Sequence, residues 1–427
     1  MKQQLEYINL KYKPKKTDLV CEYHVDPNKI SFAEACENIA AESSIGTWTT
    51  IATMNKRIAD KLRPKVFSIN KKTREIKIAY PEELFEAGNI PQILSSIAGN
   101  IFGMKAVQNL RLQDINFPKS VIKAFKGPRF GIHGIRNILR VRKRPLVGTI
   151  VKPKVGLSPK QHAEVAYNSW HGGLDIVKDD ENLSSMKFNK FEKRIKETLK
   201  LRDKAEKDTG EKKIYMPNIT AETNEMLRRA KIVKKYGGEY IMVDILTIGW
   251  AALQTVRDAD LGMVIHAHRA MHAAVTKNPN HGISMLTIAK IARLIGVDQL
   301  HIGAVFGKMV GGAKEVFPIG EAIEEQIVNP EEESHRLEQK WGKIKPVFAV
   351  CSGGLYPGAV PPLMKTMGNN IIIQAGGGCH GHPDGTFYGA RAMRQAVEAT
   401  MQGIDLKEYA ESHMELHKAI WKWGVKK

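Results

Sequence analysis

From residue 146 onward the chain alternates short, almost wholly apolar runs with longer amphipathic stretches. The runs fall at 146–151, 174–177, 214–219, 240–246, 263–267, 300–305, 346–350 and 371–375. Short apolar runs without polar alternation are the pattern of strands buried on both faces, as in a parallel sheet. The stretches between them carry helix punctuation. Ser158-Pro159 supplies an N-cap and an N1 proline before 160–170, and Gly172-Gly173 closes that segment. Gly237-Gly238, Gly296 and Gly403 end three later helical segments in the same way. Eight successive strand–helix units predict a closed (β/α)8 barrel in preference to an open doubly wound sheet.

The earlier part of the chain lacks that regularity. Glu75-Ile76-Lys77-Ile78-Ala79-Tyr80 alternates as a half-buried strand does, and Pro81 opens the next element. Strands and helices mixed in this way predict an α+β module. The charge run Arg140-Val141-Arg142-Lys143-Arg144-Pro145 reads as the junction. The expectation is an α/β chain: an N-terminal α+β domain over 1–144, then a (β/α)8 TIM barrel with C-terminal helices over 145–427.

Composition changes this picture in two places. No apolar run approaches the roughly 20 residues of a membrane span, and the N-terminus lacks a signal-peptide core, so a cytoplasmic protein without a membrane partner is expected. Lys+Arg number 65 against 45 Asp+Glu, a net charge of +20. That excess favours an anionic partner, nucleic acid or a phosphorylated substrate, over an uncharged ligand. A solvated basic surface is the plain alternative, and stretches such as 190–213 look like charged helix faces with i,i+4 pairing. The four cysteines, Cys21, Cys36, Cys351 and Cys379, have no CxxC spacing and offer neither a zinc site nor a disulfide framework.

In a (β/α)8 barrel the chemistry sits just past the C-terminal strand ends. Here those ends are polar or glycine-rich around the ring: Lys152-Pro153-Lys154, Lys178-Asp179-Asp180-Glu181, Asn218-Ile219-Thr220, His266-Ala267-His268-Arg269, His301 with Lys308 in the next loop, Ser352-Gly353-Gly354 and Gly376-Gly377-Gly378. Strand alternation puts Lys178 and Asp180 on one side, with Glu181 at the turn. Two carboxylates suit a hard cation such as Mg²⁺. A protonated lysine cannot ligate it, but a lysine carbamylated by CO2 can. A surface KDDE turn is common, and only the preceding strand pattern lowers its weight.

Glycine pairs mark turns everywhere. Two glycine-rich ends on adjacent strands nevertheless point to a phosphorylated, even bisphosphorylated, ligand, with Lys152 and Lys308 as counter-charges. His268 and Arg269 occupy the positions of a base and an anion clamp. His272 reads as structural, and His301 rests on its strand position alone.

These residues make the chain resemble ribulose-1,5-bisphosphate carboxylase/oxygenase (Rubisco), of the archaeal large-subunit type called form III. The likeness runs from about Tyr7 to Gly403. It is carried by Gly172-Gly173-Leu174-Asp175-Ile176-Val177-Lys178-Asp179-Asp180-Glu181-Asn182, by Thr149-Ile150-Val151-Lys152-Pro153-Lys154-Val155-Gly156-Leu157, and by His266-Ala267-His268-Arg269-Ala270-Met271-His272-Ala273. Ala41-Glu42-Ser43-Ser44-Ile45-Gly46-Thr47-Trp48-Thr49 and Gly99-Asn100-Ile101-Phe102-Gly103 match in the first domain.

The resemblance implies addition of CO2 or O2 to the Mg-stabilised enediolate of ribulose bisphosphate. Lys178 would be the carbamylated lysine, holding Mg²⁺ with Asp180 and Glu181 and taking the C3 proton. Lys152 would move protons with Lys154 beside it, and His268 would assist hydration. Arg269 and His301 would hold one phosphate, and Gly353, Gly354, Gly376, Gly377, Thr47 and Trp48 would shape the two phosphate sites. Ser352 would bind a substrate hydroxyl. Lys308 would reach the incoming carboxylate as a lid closes. Glu42 and Asn100 would come from the partner subunit, which implies a homodimer or higher homo-oligomer with the site at the interface. No small subunit and no nucleic acid is expected, and the type suggests nucleotide-ribose salvage, with a Calvin-like cycle as the open alternative.

Three departures stand out. Ala304 replaces a common Thr, Val310 a common Glu, and Tyr356 a common His after the Ser-Gly-Gly turn. The first two bear on lid closure and on discrimination between CO2 and O2. The alternative reading is a Rubisco-like enolase or tautomerase, using Lys178 and Mg²⁺ without Lys308.

Overall fold

The structure, a computed structural model, describes residues 6–306 and 312–426. In chain order its strands are β1 (Leu19–Pro27), β2 (Lys65–Asn70), β3 (Glu75–Tyr80), β4 (Val107–Asn116), β5 (Leu146–Ile150), β6 (Ile176–Lys178), β7 (Ile214–Met216), β8 (Tyr240–Asp244), β9 (Val264–His268), β10 (Gly282–Ile283), β11 (Gln299–His301), β12 (Ile327–Val328), β13 (Gln339–Lys340), β14 (Phe348–Ser352) and β15 (Ile371–Gln374). The chain forms two compact units. One comprises Met1–Lys126, Met271–Leu294 and Glu325–Ile344, the other Gly127–Ala270, Ile295–Glu324 and Lys345–Lys427.

The first unit is built on a five-stranded sheet of order β10-β4-β1-β3-β2. Tyr23, Ile76, Ile78, Leu110 and Leu112 are buried in it. Glu22 and Asp26 of β1 are buried too, and each is matched by a cation, Lys77 at 3.2 Å and Arg74 at 2.5 Å. Lys290 and Asp114 make a fully buried ion pair, and the Leu337 amide donates to the same carboxylate at 2.8 Å. A charge tolerates burial only when paired in this way.

The second unit is an eight-stranded parallel sheet of order β7-β6-β5-β15-β14-β11-β9-β8. A parallel bridge between Asn218 and Met242 joins its two outer strands, so the sheet closes into a barrel. All eight apolar runs supply one strand each. The run at 240–246 is shorter as a strand than expected: β8 stops at Asp244, and Ile245–Ile248 is helical.

Inward residues two apart, such as Ile214 and Met216, Tyr240 and Met242, or Phe348 and Val350, pack with Leu146, Ile176, Val264 and Ile372. Ile132, Ile135 and Leu139 of the helix Gly131–Leu139 join this core and close the lower end of the barrel. Each such side chain contributes about 1.5–3 kcal/mol by leaving water. The helix Phe191–Thr209 does not show the simple paired face expected of it. Arg194 and Arg202 are buried; Arg194 pairs with Asp179 outside the helix, and Arg202 is shared between the adjacent Asp203 and Glu239 beyond the helix.

Candidate active site

Two residues further along most strands, the inward face turns from apolar to polar. Ile176 is followed by Lys178, Met216 by Asn218, Met242 by Asp244, Val264 by His266 and His268, Val350 by Ser352, and Ile372 by Gln374. Side chains two apart on a strand share a face, so these groups crown the barrel core.

Lys178 is the last residue of β6 and is fully buried, its Nζ donating to the Asp179 carbonyl at 2.7 Å. Burial pushes its pKa down, while the carboxylates of Glu181, Asp180 and Asp244 pull it the other way. Asp180 accepts from Lys152 Nζ at 2.7 Å and from the Asn182 amide at 3.1 Å. Glu181 lies 3.5 Å from Lys154 Nζ and 3.7 Å from His268 Nε2. Burial raises the Glu181 pKa, but the charges of Lys178 and His268 overcome it and hold the value at about 2.

His268 Nδ1 in turn sits 2.9 Å from Asp244. Asp244 was missing from the residues expected at the site, although it ends an apolar run at the position where the other strands place their polar groups. Each carboxylate here already contacts a cationic or protonatable side chain. The donor set of Lys178, Asp180 and Glu181 therefore fits a hard divalent cation held by oxygens, provided Lys178 carries a carboxylate of its own.

Asp179 faces the other way. Its carboxylate takes hydrogen bonds from Tyr215 Oη at 2.6 Å, the Asn218 amide at 3.0 Å and Arg194 Nε at 3.1 Å, with His162 Nε2 at 3.0 Å. Burial pushes its pKa up, but the Arg194 charge and the His162 contact win and hold it well below the usual carboxylate range. This outward clamp fixes the backbone that aims Lys178 and Asp180 inward.

His301, isolated in sequence, is part of a chain of hydrogen bonds crossing three strands. His266 Nδ1 lies 2.8 Å from Gln299 Oε1, the Nε2 atoms of His266 and His301 are 2.9 Å apart, and His301 Nδ1 is 2.8 Å from Ser352 Oγ. A Gln oxygen can only accept. With both rings neutral, each link then points the same way, and the Ser352 hydroxyl donates to His301, leaving its lone pairs for a ligand. Burial, with neighbouring imidazole and Lys178 charges, holds both histidines well below their usual pKa.

Arg269 is almost buried, and its pKa is pulled down to about 10 by desolvation. A Cβ on Gly303, whose φ is +109°, would lie 2.8 Å from Arg269 Nη2. Gly353 and Gly354 both adopt left-handed backbone after β14, with φ of +114° and +86°. Gly376 faces Lys152, whose Cε would be 3.3 Å from an added Cβ. Gly377 opens the single helical turn Gly377–His380. His380 ties that turn back to β5: its Nε2 lies 2.9 Å from Thr149 Oγ1 and its Nδ1 3.0 Å from Thr386 Oγ1. Sequence reasoning gave His380 no role.

The remaining expected residues fall elsewhere. Glu42 and Asn100 belong to the first unit and lie 3.5 Å apart, with Thr47 partly exposed and Trp48 92% exposed. Lys308 and Val310 lie outside the described residues, while Ala304 is buried. His272 bonds Thr276 within its own turn, in keeping with a structural role. Tyr356 stacks at a tilt on Trp423, 6.3 Å between ring centres. Among the described residues no helix is long and apolar enough to cross a membrane.

Residues 6–121 match the family described as ribulose bisphosphate carboxylase large chain, N-terminal domain, and residues 131–423 match its catalytic domain. A ribulose bisphosphate carboxylase of Methanosarcina barkeri is 54% identical over 424 residues, covering 98% of this chain and 99% of the relative. The octameric Rubisco of Pyrococcus horikoshii superposes with a TM-score of 0.92 at 47% identity, covering 99% of this chain and 97% of that one. The dimeric archaeal Rubisco of Hyperthermus butylicus gives 0.93 at 47% identity, covering 98% and 99%.

Proposed function

The chain belongs to the ribulose bisphosphate carboxylase large-chain family, and from that premise we propose how its strand-end site works. It is a carboxy-lyase that adds CO2 to ribulose bisphosphate, giving two 3-phosphoglycerate, with O2 as the competing gas. The relatives named above are carboxylases, and none of them favours the enolase or tautomerase alternative.

The family is metal-dependent. The ion proposed here is Mg²⁺, held by Asp180, Glu181 and Lys178 as a carbamate. The carbamate forms when the neutral Lys178 amine adds to an activating CO2 and a proton leaves. When bound, the ion supplies Lewis-acid stabilisation of negative charge developing on the substrate oxygens. The carrying observation is the convergence of Lys178, Asp180 and Glu181, with Lys152 and His268 each beside one of the two carboxylates.

Lys152 Nζ and His268 Nε2 are the chain's own proton carriers at the reacting carbons. Asp244 holds the His268 ring in place. Arg269 and His301 hold one phosphate, Gly353, Gly354, Gly376 and Gly377 let phosphate oxygens approach backbone N–H groups, and Ser352 takes a substrate hydroxyl. Lys154 neutralises charge beside Glu181, and Lys308 meets the new carboxylate.

Glu42, Asn100, Thr47 and Trp48 are proposed to complete the site of a partner subunit in a homo-oligomer. The exposed indole of Trp48 supports this, as do the dimeric and octameric relatives. The test is anaerobic incubation of the purified protein with ribulose bisphosphate, Mg²⁺ and labelled CO2. Labelled 3-phosphoglycerate is expected, and its absence would overturn the assignment.

A further inference from the structure

On the sheet of the first unit, away from every residue assigned above, three metal-ligating side chains from three segments meet. Glu22 of β1 and Glu75 of β3 lie on one face of adjacent antiparallel strands, since Glu22 pairs with Lys77 and His24 with Glu75. His335 reaches them from the turn that follows β12. Its Nδ1 lies 3.0 Å from Glu22 Oε1 and 3.0 Å from Glu75 Oε1, and the three donor atoms fall within 4.8 Å of one another.

The carboxylates are oriented from behind. Glu22 Oε2 is held by Lys77 Nζ at 3.2 Å and Glu75 Oε2 by Thr73 Oγ1 at 2.8 Å, which leaves each Oε1 aimed at the imidazole. The histidine is equally fixed. Glu331 and Arg336 close its turn through paired backbone bonds of 2.8 and 2.9 Å, and His335 itself sits at φ +57°. A non-glycine residue held in left-handed backbone persists only where its surroundings impose it. Glu22 is buried while Glu75 and His335 are partly open, so water and ions can enter from one side.

We propose that Glu22, Glu75 and His335 bind a borderline divalent transition metal of the Zn²⁺ class, with water in the remaining position. Imidazole nitrogen with carboxylate oxygen suits such ions better than Mg²⁺ or Ca²⁺, which prefer all-oxygen sites. Bonds of about 2.0–2.1 Å in a tetrahedron require donors about 3.3 Å apart, so the two 3.0 Å separations must open by a few tenths of an ångström and the two carboxylate oxygens, within 4.8 Å of one another, must settle to a similar spacing. Any proton on Nδ1 leaves to solvent as the metal binds. Without metal the same contacts make an ion-pair bridge, and the experiment must separate the two.

The full chain, stripped with chelator and then held in saturating Mg²⁺ to fill the hard-oxygen site, is titrated with Zn²⁺ by calorimetry and with Co²⁺ as an absorbing probe. The wild type is expected to bind one ion more than His335→Gln, and Glu75→Gln to bind it at least about tenfold more weakly. Carboxylase turnover of His335→Gln should be unchanged. Equal stoichiometry in wild type and both variants would overturn the site. So would a His335→Gln protein that melts lower yet binds the same number of ions, since His335 would then be only a bridge.

Discussion

Asp179 and Asp180 are adjacent, chemically identical and equally buried, yet the structure assigns them opposite jobs. Replacing each by asparagine separates the two. In Asp179→Asn the Arg194 guanidinium, fully buried, loses the carboxylate 3.1 Å from its Nε, and the amide cannot accept every bond now offered by Tyr215, the Asn218 amide and Arg194. An uncompensated buried charge costs about 3–5 kcal/mol. In Asp180→Asn the stranded cation is Lys152, whose side chain is 29% exposed and can hydrate, so the cost is about 1 kcal/mol or less. The second variant instead loses a proposed metal ligand, and with it turnover.

Urea unfolding of both proteins, compared at equal m, measures the difference. The Asp179 pKa lies below the usual range in the folded chain, so its stabilising share is full above about pH 4 and fades as the pH falls through the folded value. Wild type and Asp179→Asn should therefore converge in stability on strong acidification. If Asp180→Asn proved the less stable variant, or if Asp179→Asn lost under about 1 kcal/mol at neutral pH, the outward-clamp assignment would fail.

Lys178→Met should abolish carboxylation and, by taking the cation from among Glu181, Asp180 and Asp244, raise the Glu181 pKa; near-normal turnover would sink the carbamate proposal. His380 stays neutral in the fold, its pKa lowered to about 4 by burial, while in the unfolded chain it takes a proton near about 6.5. Stability should thus drop by up to about 3 kcal/mol between about pH 6.5 and 4 on its account. His380→Gln should flatten that part of the pH–stability curve, and superimposable curves would refute the argument. Gly303→Ala places a Cβ 2.8 Å from Arg269 Nη2 at φ +109°. It should raise the KM for ribulose bisphosphate more than it lowers kcat, and a KM equal to wild type would show that Arg269 is not positioned there.

The barrel was legible because its strands are buried on both faces and so read as uninterrupted apolar runs, each flanked by helix punctuation. The site was legible only to the extent that polar residues terminate those runs. Lys178, Asp180, Glu181, His268 and Lys152 all stand at such ends, and the structure gathers them. Strand alternation already placed Asp180 on the side of Lys178, but the outward clamp on Asp179 was not legible, since it depends on Tyr215 of β7 and on Arg194 from the helix Phe191–Thr209. Asp244 was hidden because the run around it stays apolar into the next helix. The line from Gln299 through His266 and His301 to Ser352 joins residues far apart in sequence, and no local pattern announces such a line.

The net charge of +20 divides along the same boundary between inside and outside. Inside, several cations have acid partners: buried Lys290 has Asp114, Arg194 has Asp179 and Lys213 has Glu211, and half-buried Arg144 has Asp175. Burial enforces that pairing, because an unmatched ion in the core would cost more than the fold can spare. The surplus includes exposed positions such as Arg140, Arg142 and Lys143, just before the first barrel strand. There it cannot stabilise the fold, since like charges on a surface repel. The bisphosphate substrate proposed above would account for Lys152 and Arg269, which are few, local and partly shielded. The exposed excess contributes instead to a positive field around the molecule, which salt screens over about 8 Å at physiological ionic strength.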